Sequence, residues 1–243
     1  MCSDKLQFSL YDAFARASRV SRAFLYGLDA DRQLPLHLPD LARTPYLGFT
    51  GKNYQLGGVC LIGINPGGGG DAYSEETLAD RQLADSIDIL RGNDSNPAHF
   101  EAMNDRFEAQ FRQIPFKTIV NPVLEAADSD VSSCAYLNMF PYRTRGDKMP
   151  HSKALAKSCE LIVEPLLKAL RPRYIVILGY KARNTAEKNL SLPIKPYVIK
   201  RTIGDRVICP EAAAVIKEIA ADKMSRVDRA KWLRIDTDQI KAS

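Results

Sequence analysis

This sequence has no Cys-x-x-Cys pair, no apolar run long enough to span a bilayer, and no internal repeat or low-complexity tract. Each absence excludes something. The five cysteines, Cys2, Cys60, Cys134, Cys159 and Cys209, stand far apart, which argues against a zinc site and against a disulfide framework. Without a membrane span, and with no apolar region behind Met1-Cys-Ser-Asp-Lys, the expected setting is cytoplasmic with no membrane partner. The Gly-Lys-Ser/Thr ending of a phosphate loop is missing, as is the spaced glycine fingerprint of a dinucleotide site.

What is present is enough chain for a full core. The 243 residues, 45% hydrophobic and 26% charged, fit one large soluble domain spanning 1–243. A net charge of +5 hides an uneven distribution. Residues 1–141 hold 12 Lys/Arg against 18 Asp/Glu, whereas residues 142–206 hold 15 against 5. So dense a basic segment fits either a polyanion partner or a solvated face on helices.

The stretch Gly58-Val-Cys-Leu-Ile-Gly-Ile-Asn-Pro-Gly-Gly-Gly-Gly-Asp71 organises the rest. Val59–Ile62 is a short apolar run with β-branched residues, the mark of a strand buried on both faces. Four consecutive glycines, Gly67 to Gly70, carry a backbone entropy cost that no regular element tolerates. Such a loop suits close approach of backbone to a ligand. Asn65 is the polar side chain between strand and glycines, where ligands sit in open α/β sheets.

Other elements follow in order. Ser9 is placed to cap a helix over Leu10–Tyr26, stopped by Gly27, and a loop punctuated by Pro35, Pro39 and Pro45 comes next. Helices are expected from Ser74 to Gly92 and from Ala98 to Gln113, the second with Phe100, Met103, Phe107 and Phe111 as a core stripe. Cys134–Asn138 reads as a strand, Lys153–Leu170 as a helix and Tyr174–Leu178 as a strand. A helix over Gly179–Lys188 follows, then Tyr197–Ile199 and Val207–Cys209 as last strands or a hairpin, and a helix over Ala212–Ala221. The tail from Lys223 reads as peripheral. Strands alternating with helices predict an α/β fold: a three-layer α/β/α sandwich with a mainly parallel four-stranded central sheet.

The ordered set Gly63-Ile-Asn-Pro-Gly67, Leu137-Asn138 and Leu178-Gly-Tyr-Lys-Ala182 resembles the uracil-DNA glycosylase superfamily over roughly residues 55–222. The first motif is similar to that of the mismatch-specific uracil/thymine branch. Asn138 through Pro150, a helix, and Leu-Gly-x-x-Ala are similar to the thermostable bacterial branch. That branch carries an iron–sulfur cluster on four cysteines. Here Tyr142 stands at one such position and the Cys-x-x-Cys pair is missing, so neither cluster, metal nor other cofactor is expected. The family's second motif is His-Pro-Ser, and this chain has Cys209-Pro210-Glu211 in its place.

The resemblance implies a monofunctional DNA glycosylase acting as a monomer on DNA. Asn65 would hold the attacking water, and Glu211 would be the acid replacing the histidine. Gly63, Ile64, Pro66, Gly67, Gly68, Asn138, Cys209 and Pro210 would line the base pocket, with Tyr73 as a candidate stacking residue. Asn138 offers the donor and acceptor needed for a pyrimidine edge, although tying down its own loop is also open to it. Arg143, Arg145 and Lys148 would meet DNA phosphates. Gly67 stands where the strict uracil branch has a tyrosine against the pyrimidine 5-position. Thymine, hydroxymethyl derivatives or the modified cytosines of phage genomes would then fit. Two other readings stay open: a binding protein of the same fold without catalysis, and an unrelated α/β enzyme whose glycine loop holds a nucleotide phosphate.

Overall fold

The computed structural model describes residues 2–27, 45–67, 78–92, 97–113, 117–144, 148–192, 194–201 and 207–222. Three all-buried strands form its centre: β2 (Val59–Gly63), β3 (Cys134–Asn138) and β4 (Tyr174–Leu178). Their continuous apolar sequences need cover on both faces, and each fully buried Leu or Ile contributes about 1.5–3 kcal/mol. β5 (Tyr197–Ile199) continues the parallel set beside β4. The sheet has five strands rather than the expected four, in the order β1-β3-β2-β4-β5. The addition is β1 (Gly48–Thr50), an antiparallel edge strand on β3.

That edge is covered. The Thr50 N–H donates to Asn104 Oδ1 at 3.0 Å, from helix α4 (Pro97–Phe111), so its outer backbone does not invite another strand. The stripe Phe100, Met103, Phe107 and Phe111 is core, and the Phe111 ring lies 5.1 Å from Phe49 of β1 and 4.7 Å from Tyr136 of β3.

Helices surround the sheet as an α/β/α sandwich. α1 (Cys2–Ser18) packs on α3 (Leu78–Arg91), on α4, and on the long helix formed by α6 (Ser152–Ser158), one π turn (Cys159–Val163) and α7 (Glu164–Leu170). α5 (Lys117–Ala126) packs on α9 (Pro210–Ala221), and α8 (Tyr180–Asn189) lies on β4 and β5. α1 begins before Ser9 and ends at Ser18. A separate turn, α2 (Arg22–Leu25), follows with Ser21 as its cap: the Phe24 N–H donates to Ser21 Oγ at 3.1 Å. α5, with Pro122 in its interior, was not expected from sequence. Val207–Cys209 forms no strand, so the expected hairpin is replaced by a lead-in to α9, with Cys209 as N-cap. The tail from Lys223 lies outside the described residues.

Register also settles the strand cysteines. Cys134 pairs with Val59 and Ala135 with Cys60, which puts Cys60 and Cys134 on opposite faces of the sheet. Both are free thiols, as are Cys159 and Cys209. Among the described residues no helix is long and apolar enough to cross a membrane.

Candidate active site at the carboxyl ends of the strands

β2 has β3 on one side and β4 on the other, so the chain leaves it in one direction and later returns past it in the other. Ligands of open α/β sheets bind at such a reversal, beyond the carboxyl ends of the strands. The loops there are those following β2, β3 and β4. Gly63 pairs with Asn138, and pairing runs on past the strands: Met139 N–H donates to Gly63 O and Phe140 N–H to Ile64 O, both at 2.9 Å. Asn65 and Asn138 thus stand at the same edge of the sheet.

Their amides do different things. Asn65 is half-buried, and its Nδ2 donates to Thr144 Oγ1 at 3.3 Å. The Thr144 hydroxyl donates in turn to Lys148 O at 2.5 Å, which leaves the Thr oxygen as acceptor for the amide. Among the described residues Asn65 Oδ1 takes no hydrogen bond, so this is the end of the amide available to a ligand. Asn138 is 3% exposed. Its Nδ2 donates to Tyr46 O at 2.8 Å and its Oδ1 accepts from Tyr136 Oη at 2.9 Å. Instead of presenting a donor–acceptor pair to a pyrimidine, it ties the chain entering β1 to β3, a correction to the expected role.

The same close packing explains Gly63. A Cβ there would lie 2.5 Å from Tyr136 Oη and 3.3 Å from Asn138 Oδ1. Ile64 is half-buried against the core, Pro66 is buried, and Gly67 is exposed with nothing among the described residues within 4 Å of a Cβ. Gly68, Tyr73 and Arg145 lie outside the described residues.

Arg143 does not face solvent as a phosphate ligand. Its guanidinium holds Asp80 of α3 through Nη2 at 3.0 Å and Nη1 at 3.3 Å, donates to Tyr46 Oη at 2.7 Å, and stacks 4.6 Å from the Tyr46 ring centre. Tyr46 Oη also donates to Asp80 Oδ1. The two charged side chains are 18% and 4% exposed. Burying an aspartate requires a paired cation, and Arg143 is that cation. Of the three expected phosphate contacts, only Lys148 is described and exposed.

Cys209-Pro210-Glu211 reaches the same edge of the sheet, but at β5. The Cys209 thiol lies 3.8 Å from Lys200 O, just past that strand, two strands and roughly 10 Å sideways from β2. Lys200 Nζ donates to Glu211 Oε1 at 2.5 Å. This bond, with the Glu211 backbone N–H and the Cys209 thiol, lowers the Glu211 carboxyl to about 2. A carboxyl held ionised by this pair does not suit the expected acid role of Glu211. The same bond raises Lys200, keeping its amine protonated.

Thr144, Asp80 and Lys200 were not singled out from sequence. Thr144 is hidden between Arg143 and Arg145, and the other two acquire meaning only through partners 63 and 11 residues away. Tyr142, at the position of a cluster cysteine in the family pattern, is buried with its hydroxyl donating to Val20 O at 3.2 Å. Among the described residues no three His, Cys, Asp or Glu side chains gather as a metal site. No model of a known protein family matches this chain, and no curated protein matches it.

Proposed function

We propose that this protein is a monofunctional DNA glycosylase of the uracil-DNA glycosylase kind, removing a uracil-like or 5-substituted pyrimidine from DNA. One observation supports it: Asn65, at the strand reversal, has its amide nitrogen tied to Thr144, and its oxygen takes no hydrogen bond among the described residues. Hydrolysis of an N-glycosidic bond in a duplex requires the nucleotide to be turned out of the stack. The bond then breaks through an oxocarbenium-like sugar, which needs a water held against C1′ and donors aimed at the departing base. Asn65 Oδ1 accepts from that water. An amide is a poor base, so turnover is slower than with a carboxylate in its place.

Backbone N–H groups of Asn65 and Gly67 are the donors for the departing base, Pro66 having none, and the glycine at 67, with no described neighbour within 4 Å of a Cβ, admits substituents at the pyrimidine 5-position. Hypermodified cytosines of phage genomes belong to that class. No lysine adjoins Asn65 in sequence, which supports hydrolysis over Schiff-base chemistry. The protein acts as a cytoplasmic monomer in this reading.

Duplexes carrying uracil, thymine or 5-substituted cytosines, treated with the protein and then with alkali to cut abasic sites, give the test. Strand cleavage that disappears in Asn65→Ala, with DNA affinity retained, supports the reading. No cleavage on any substrate overturns it, and removal of unsubstituted uracil alone overturns the open-pocket part. The ion pair that takes Glu211 out of proton transfer favours one second reading, a DNA- or nucleotide-binding protein of this fold without catalysis. There, DNA binding persists while Asn65→Ala has no excision to lose.

A further inference from the structure

Asn65 and Asp80 stand on either side of the glycines in sequence, and consecutive residues of the loop after β3 hold them both. Asn65 Nδ2 donates to Thr144 Oγ1 at 3.3 Å. Asp80, in the first turn of α3, takes the Arg143 guanidinium through Nη2 at 3.0 Å and Nη1 at 3.3 Å. Arg143 directly precedes Thr144, so a single peptide unit joins the two anchors.

The Arg143 side of this arrangement is fixed from several directions. Its Nη2 also donates to Tyr46 Oη at 2.7 Å, its guanidinium lies 4.6 Å from the centre of the Tyr46 ring, and Tyr46 Oη donates to Asp80. Tyr46 is itself tied to the earlier part of the same loop. Its N–H donates to Pro141 O at 2.5 Å, and its carbonyl accepts from Asn138 Nδ2 at 2.8 Å. Asp80 and Tyr46 are buried and Arg143 largely so. A buried ion pair adds little net stability over apolar side chains of the same size, but it demands one geometry. The planar fork of an arginine meets the carboxylate and the phenol together, which a lysine ammonium does not reproduce.

We infer that Arg143, clamped between Asp80 and Tyr46, is a positioning residue for the Asn65 amide: it places Thr144, and Thr144 orients Asn65. The inference rests on the glycosylase reading for the reaction it serves. Arg143 touches no substrate in this role. Its effect belongs to the rate of bond cleavage, not to the hold on DNA.

The test is a cycle of four proteins: wild type, Arg143→Lys, Thr144→Val and the double variant. Each is assayed for single-turnover excision and, by fluorescence anisotropy, for DNA affinity. Arg143→Lys keeps a cation opposite Asp80 but loses the fork, and should slow excision about fivefold or more with affinity within about twofold. In the Thr144→Val background the same change should cost no more than about twofold, because its route to Asn65 is already cut. General loosening of the fold would instead slow both backgrounds alike. An unchanged rate in Arg143→Lys, or losses that multiply, overturns the inference. If circular dichroism shows Arg143→Lys unfolded, Tyr46→Phe, which keeps the ring and removes no charge, takes its place in the cycle with the same outcomes. The side-chain amide NMR signals of Asn65 give a readout without DNA, and Arg143→Lys should shift them as Thr144→Val does. Shifted signals in a protein that excises nothing overturn the glycosylase reading alone. Unshifted signals overturn the role of Arg143, whatever the excision.

Discussion

Thr144 Oγ1 accepts from Asn65 Nδ2 at 3.3 Å and donates to Lys148 O at 2.5 Å, joining the loop after β2 to the loop after β3. The two bonds together define which end of the Asn65 amide meets a ligand. A flipped amide would set two acceptor oxygens against each other if the Thr144 proton stayed on Lys148 O. In the proposed reaction Thr144 is therefore a positioning residue, acting only through Asn65.

Thr144→Val removes both bonds while keeping the shape of the side chain. Excision in single turnover should fall about tenfold or more, because small displacements of a water-holding group are magnified in rate. DNA affinity should stay within about twofold, and Thr144→Ser should restore most of the rate. A Val variant as fast as the wild type would remove Thr144 from the mechanism.

Gly63→Ala places a methyl 2.5 Å from Tyr136 Oη. The expected destabilisation is about 1–3 kcal/mol, the range for overpacking. Tyr136→Phe alone leaves Asn138 Oδ1 without its donor, at about 1 kcal/mol. Combined, the two changes should destabilise by less than their sum, because the second removes the atom that the first strikes. Urea unfolding of the four proteins in the cycle measures the difference, and strict additivity would refute the contact.

Asp80→Ala leaves the Arg143 guanidinium largely buried without its partner. The loss should be about 3 kcal/mol or more, a fall in Tm of roughly 10 °C for a chain of this size. A thermal melt reads this directly. A variant melting within about 2 °C of the wild type would mean that Arg143 is free to turn outward, and would return it to the phosphate-binding surface.

Glu211 should titrate near 2 in a carboxyl-detected NMR experiment, and Lys200→Met should return it toward its ordinary value of 4.5. The sign follows from linkage. A folded-state value below the unfolded one means that the Lys200 pair stabilises the fold above about pH 4.5, and that this contribution is lost as pH falls through about 2. In the range from pH 5 to 8 no limb of a rate profile should belong to Glu211, and Glu211→Gln should excise at close to the wild-type rate. A large loss in that variant would restore Glu211 to the chemistry.

Burial pushes Cys134 and Cys159 up to about 12 and Cys60 upward as well. In a Cys2→Ser background at pH 8, a thiol reagent should therefore modify the partly exposed Cys209 in the native protein. The other three should react only as the protein unfolds, since the thiolate is the reacting form. Four fast thiols in the native state would contradict the burial.

The sequence by itself determined the centre of this protein. Val59–Ile62, Cys134–Leu137 and Tyr174–Leu178 are continuous apolar runs, and a strand buried on both faces is apolar wherever no partner satisfies a polar side chain, so each could be read without its neighbours. The position of Asn65 between strand and glycines was legible for the same local reason. What only the tertiary structure decided depends on partners distant in the chain. Gly48–Thr50 is a strand because β3 and Asn104 take up its backbone groups, not because three residues carry a pattern. Asp80 and Arg143 are an internal pair, Asn138 is tied to Tyr46, and Lys200 holds Glu211. Charge and amide side chains read alike whether they face a ligand or one another, and burial with a specific partner, which no local pattern encodes, separates the two.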